Sequence, residues 1–165
     1  MRVCILALLL VAPGCVFPDL QSTPRIVPGT GETEFIPLTA EADDLVLTNG
    51  VQGGTHIWGA VRVIGIDWRD VRLGWVLTDS EGDEVTESTN LRQGLNQCAR
   101  TEPGCDPGMG EIVAVTLVVD SPSSVRGDEL TLTVEAIDEE GRAATASSLV
   151  RPIFLVTDEE ESGDQ

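Results

Sequence analysis

Lysine and tyrosine are absent from the chain, and all 10 of its basic residues are arginine. The missing lysine is read most simply as genome base composition, not as a functional trait. Histidine occurs once, at His56. Zinc sites built from several histidines are therefore excluded, and any Ser-His-Asp triad would have to use that one ring. No serine stands in a Gly-x-Ser-x-Gly frame, and no glycine-rich phosphate loop leads into a helix. Helical three-and-four spacing of apolar residues is nowhere sustained. The N-terminal apolar segment, residues 3–11, is far short of the roughly 20 residues of a permanent membrane helix. Positive charge is scarce too, with 28 acidic residues against 10 basic ones and a net charge of −18. Such a chain repels phosphate backbones and anionic lipid heads, which argues against direct nucleic-acid binding. Cations, basic proteins and neutral polymers are the partners it leaves.

From residue 34 onward, short apolar runs alternate with turn clusters. This rhythm predicts an all-β domain over 34–157, an antiparallel sandwich of about eight strands. The expected strands are 34–39, 44–48, 56–64, 70–78, 83–88, 111–119, 129–137 and 143–150, with 153–156 extending the last beyond Pro152. Polar hairpin turns are marked at 79–84 (DSEGDE) and 138–142 (DEEGR). Leu130, Leu132, Val134 and Ala136 alternate with Thr131, Thr133 and Glu135, so one sheet face is buried and the other wet.

The stretch 51–65, VQGGTHIWGAVRVIG, holds the only histidine and the only adjacent glycine pair. It reads as a central strand entered through a Gly53-Gly54 turn. Ile57, Gly59, Val61 and Val63 share one face; His56, Trp58, Ala60, Arg62 and Ile64 share the other. The charge of Arg62 assigns the second set to the outside, which makes His56, Trp58 and Arg62 a candidate binding face. Val71, Leu73, Trp75 and Leu77 form a further inward set, so that Arg72 points outward beside Arg62.

The N-terminus reads as an address. Arg2 precedes the apolar run, and Ala12-Pro13-Gly14-Cys15 follows it, the layout of a secretory signal peptide over 1–14. Ala12 and Gly14 satisfy ordinary small-x-small cleavage, and the same four residues resemble the lipobox of bacterial lipoproteins. Either route cuts before Cys15. The resemblance implies that Cys15 is acylated, with palmitate among its chains, and that the membrane is a partner through this anchor. Cysteine arithmetic favours it: Cys4 leaves with the signal, Cys98 and Cys105 can pair, and Cys15 would otherwise be an odd thiol in an oxidising compartment. Val16 after the cysteine, where enterobacterial sorting would place Asp for retention, implies the outer membrane. Residues 15–33, rich in Pro and Gly, read as a tether, and 158–165 (DEEESGDQ) as a solvated acidic tail.

The run 127–150, GDELTLTVEAIDEEGRAATASSLV, resembles the last two strands of bacterial immunoglobulin-like domains. The resemblance implies an immunoglobulin-like sandwich, without the Cys–Trp–Cys signature of antibody domains. A jelly roll or barrel is the alternative.

Residues 91–110 break the strand rhythm with a loop rich in Gly and Pro. Cys98 and Cys105 enclose ARTEPG, which can reverse at Pro103-Gly104, so a local disulfide is expected, worth roughly 2–3 kcal/mol by loop closure. Such a loop either binds a partner or merely resists proteases. The corner GIDWRD (65–70) sets Trp68 between carboxylates, either as a sugar-stacking site or as a core-capping turn. Asp79, Glu81, Asp83 and Glu84, with Asp138 and Glu140, invite comparison with calcium sites, but the helix-loop-helix spacing is wrong. Solvated turns are the expectation, with no resident metal or cofactor and no catalytic residue. The sequence thus predicts a non-catalytic, lipid-anchored extracytoplasmic module, binding or structural, whose further partner is an envelope protein or a glycan. The competing readings are a glycan-binding or glycan-active domain using Asp67 and Asp70, and a calcium-dependent adhesion module.

Overall fold

The structure, a computed structural model, describes residues 18–39, 41–50, 54–86, 89–99, 101–119 and 121–154. The signal peptide, Cys15, the turn residues 51–53 and the acidic tail lie outside the described residues. Two sheets face each other across one apolar core. The first carries β1 (Arg25–Thr30), β2 (Ile36–Pro37), β4 (Thr48–Asn49), β5 (Thr55–Ile64), β8 (Asn96–Gln97) and β9 (Gly110–Val119), in the order β2-β1-β5-β9-β8 with β4 also on β5. The second is ordered β3-β11-β10-β6-β7, from β3 (Asp43–Val46), β6 (Val71–Thr78), β7 (Thr89–Gln93), β10 (Leu130–Asp138) and β11 (Ala143–Ile153). A single helical turn, α1 (Pro122–Val125), precedes β10.

The all-β sandwich expected from patterning is present, and its inward sets are those of the alternation. Leu130, Leu132, Val134 and Ala136 of β10 and Val71, Leu73, Trp75 and Leu77 of β6 are buried against Ile57, Val61 and Val63 of β5. Gly59 fits this layer because a Cβ there would press on Leu117 and on the Trp75 indole, 3.1–3.3 Å away. Burying each large side chain contributes about 1.5–3 kcal/mol, so the alternation alone selects the register.

The strand count differs from eight: eleven strands form among the described residues. Much of the excess comes from segments read as irregular. The supposed tether contains β1, which pairs with β5 from Arg25↔Ile64 to Thr30↔Gly59. Its Pro and Gly are tolerated because β2 bonds the far side of β1 over only two residues. The loop 91–110 holds most of β7 and all of β8. Conversely, the described part of the expected strand 83–88, residues 83–86, makes the isolated bridges Thr78↔Glu84 and Thr86↔Val119 and no strand. The expected strand 44–48 is divided by Leu47, with β3 running parallel to β11 in one sheet and β4 joining β5 in the other.

One irregularity prepares the site. Gly59 opposes Val115 while Val61 opposes Ile112, so β9 carries a bulge, and Ala114 takes φ 59° there. The extra residue shifts the side-chain parity of β9 by one. Val115, Leu117 and Val119 therefore enter the core, while Glu111, on the other side of the bulge, faces outward opposite Arg62.

Candidate functional site

One end of the sandwich gathers the loop 98–109, the corner 65–70 and the turn 138–142. The corner joins the end of β5 to the start of β6. Trp68 is only 8% exposed, and its Nε1 donates to the Gly108 carbonyl at 2.8 Å. A Cβ on Gly110 would collide with the Trp68 side chain, so this glycine makes room for the indole. The Leu95 amide donates to the Trp68 carbonyl at 2.8 Å. Trp68 thus caps the core, and a sugar-stacking role for its ring is overturned by its burial.

The expected disulfide is formed between Cys98 and Cys105, with Cα atoms 5.7 Å apart. The reversal falls where Gly104 takes φ 75°. Cys98 and Met109 pack on Ile64, with Val27 and Cys105 beside them, as a second small core on the outer side of the first sheet. That packing corrects the reading of Arg62. The side chain does lie on the outer side of β5, but it is 5% exposed, covered by the disulfide loop and by Phe35. Its Nε donates to Glu111, its Nη2 to Glu102 at 2.8 Å and its Nη1 to the Pro103 carbonyl at 2.8 Å, while the guanidinium stacks 4.1 Å from the Phe35 ring centre. A buried guanidinium held by two carboxylates is a fastening for the loop, not an open binding surface.

Of the three residues expected on a visible face, His56 and Trp58 are half-buried and stack edge-on, 4.6 Å between ring centres. Arg72 does not lie beside Arg62. β5 and β6 belong to different sheets, which puts the two arginines on opposite faces of the molecule. Alternation along each strand was legible, but which strands pair was not.

Ligand atoms of Cys98, Glu102, Cys105 and Glu111 lie within 4.8 Å of one another. The two sulfurs are bonded to each other and both carboxylates hold Arg62, so the guanidinium stands where a cation would. Sequence reasoning missed Glu102, Glu111 and Phe35 as partners of Arg62. The only available signal was the carboxylate inside the cysteine loop.

Asp138 fastens the remaining pieces. Its carboxylate, without solvent exposure, accepts from the Asp67 amide at 2.9 Å, the Arg142 amide at 2.9 Å and Arg142 Nε at 2.7 Å. Burial pushes its pKa up, but these donors outweigh burial and hold it below the usual carboxylate range. Asp67 is likewise lowered, first by its side-chain bond with Arg69, and Asp70 first by Arg92. Both acids suggested for glycan chemistry are thus committed to arginines.

On the outer face of the second sheet, a cleft of about 370 Å³ is lined by Asp70, Arg72, Arg92, Ile137, Asp138 and Glu139. A neighbouring cleft of about 270 Å³ shares Arg72, Arg92 and Ile137 and reaches Gly74, Asn90 and Glu135. Arg92 pairs with Asp70 and Glu139. Arg72 is exposed and forms no ion pair among the described residues. At the opposite end, Asp79 Oδ1 accepts the amides of Glu81 and Asp83, both at 2.9 Å, closing its own turn. No protein family, curated protein or solved structure matches the chain.

Proposed function

We propose that the protein is a non-catalytic, immunoglobulin-like β-sandwich held at the bacterial envelope by a lipid on Cys15, with a binding or structural role there. The observation that carries this reading is the Cys98–Cys105 disulfide. It uses both cysteines that follow Cys15, so after loss of Cys4 with the signal Cys15 has no thiol partner in the chain. Acylation is the chemistry that gives such a cysteine a role outside the cytoplasm. The well-matched β10–β11 hairpin, paired from Leu130↔Val150 to Ile137↔Ala143, supports the immunoglobulin-like assignment. Commitment of Asp67, Asp70 and Asp138 to arginine partners supports a non-catalytic role over a glycan-active one. The self-closed 79–84 turn speaks in the same way against a calcium module.

The test is partitioning of the chain expressed in a Gram-negative host. The wild type is expected in the outer-membrane fraction and in the detergent phase, labelled by radioactive palmitate. Cys15→Ser is expected to stay soluble and unlabelled. A wild type that is fully soluble and unlabelled would refute the anchor.

A further inference from the structure

We propose that the end bearing the disulfide loop rests directly against phospholipid headgroups: residues 65–70, 98–99, 101–109 and 139–142 face the bilayer, and the hairpin 79–84 points away from it. This rests on lipidation of Cys15, and it replaces the long tether of the sequence reading with a short one. The described chain is packed from its first residue. Pro18 is buried, and the Asp19 amide donates to the Gly108 carbonyl. Gly108 has no room for a Cβ because Asp19 lies against it, and Gly65 meets the backbone of residues 22–24 just as closely. Arg25 then pairs with Asp106 at 2.7 Å. The N-terminal segment is therefore stitched to the disulfide loop.

Only Val16 and Phe17 stand between Cys15 and Pro18. Three Cα steps of about 3.8 Å reach about 11 Å at most. By contrast, the nine residues of β10 at about 3.4 Å each give a sandwich about 30 Å long. An anchor of that reach brings the loop end to the headgroups, and only a sandwich lying flat would bring the far end there too.

Compensation of the acids by arginine favours upright over flat. Arg25, Arg62, Arg69, Arg72, Arg92 and Arg142, six of the eight described arginines, belong to the loop end or to the strand ends entering it. Five of them are in ion pairs with the carboxylates there. The sixth, Arg72, opens into the cleft beside Arg92 and offers a phosphate oxygen a guanidinium that is in no ion pair among the described residues. The far hairpin 79–84 holds four carboxylates and no arginine. With a Debye length of about 8 Å, each end feels mainly the surface it faces; the loop end sets six arginines against nine carboxylates and the far hairpin sets none against four, so an anionic bilayer repels both ends but finds compensating charge only at the near one.

The experiment uses the full acylated chain, reconstituted into vesicles of three parts phosphatidylethanolamine to one part phosphatidylglycerol with a trace of rhodamine-labelled lipid. A donor dye is placed at Glu140→Cys or at Glu81→Cys, both exposed turn positions. Energy transfer to the lipid acceptor is expected to be severalfold higher from position 140 than from 81. A long Gly/Ser insert between Phe17 and Pro18 should collapse that difference. Vesicle flotation with equal transfer from both sites, or more from 81, overturns the orientation and leaves the anchor standing. Failure of the wild type to float overturns the anchor and the orientation together.

Discussion

Arg62 concentrates the physical argument at the residue scale. A guanidinium that is 5% exposed carries the full desolvation cost of its charge, offset by Glu111, Glu102 and the Pro103 carbonyl. Truncating it strands Glu111, itself only 16% exposed, and removes the surface on which Phe35 stacks. Arg62→Ala is therefore expected to cost about 3–5 kcal/mol, read as a lower midpoint in urea unfolding. Glu102→Gln should cost less than about 1 kcal/mol, because that carboxylate is 46% exposed and its bond is screened. Equal costs for the two would show that the loop is fastened elsewhere. Asp138 gives a pH signature. Its folded pKa lies below the unfolded value of about 3.9, so its contribution is fully present above that pH and fades as pH falls toward the folded pKa. Unfolding midpoints of the wild type are expected to drop from about pH 5 downward, and Asp138→Asn should flatten that slope while lowering stability at neutral pH.

The bulge in β9 is the decisive feature at the scale of the element. Without it, a strand that sends Val115, Leu117 and Val119 inward would send Glu111 inward as well, and Arg62 would lose its buried partner. The device has a backbone cost, since Ala114 sits at φ 59°, where a side chain is disfavoured by about 1 kcal/mol. Ala114→Gly is expected to raise stability by about 0.5–1 kcal/mol in chemical denaturation, with the disulfide loop unchanged. A loss of stability would mean that the Ala114 methyl packs usefully or that the bulge is unstrained. β1 teaches the same lesson from the other side. Its Pro and Gly suggested a tether, yet Ile26 reaches the main core and Val27 the small one, so the segment is bound into the sheet on both faces. Composition reports what a strand avoids on average, while burial of two alternating apolar residues decides the individual case.

Across the whole molecule, the net charge of −18 is unevenly spread. Arginines gather where loops must be fastened to one another, and the far hairpin is left acidic. The same clustering that closes the end without exposed unpaired acids at Asp67, Asp70 or Asp138 makes that end the one an anionic surface repels least. On the proposed orientation, stability of the loop end and its approach to the bilayer would be linked through the same ion pairs.

The sequence by itself determined the fold class, the inward faces of β5, β6 and β10 and the Cys98–Cys105 pair, since these follow from periodicity and from cysteine spacing within short stretches of chain. Only the tertiary structure decided that Arg62 is buried, that Arg72 lies on the opposite face, and that the supposed tether is a strand of the sheet. Those outcomes depend on which strands pair and on what a distant loop covers. Arg62 meets Glu102 and Glu111 from 40 and 49 residues away, and alternation along one strand carries no information about partners at that separation.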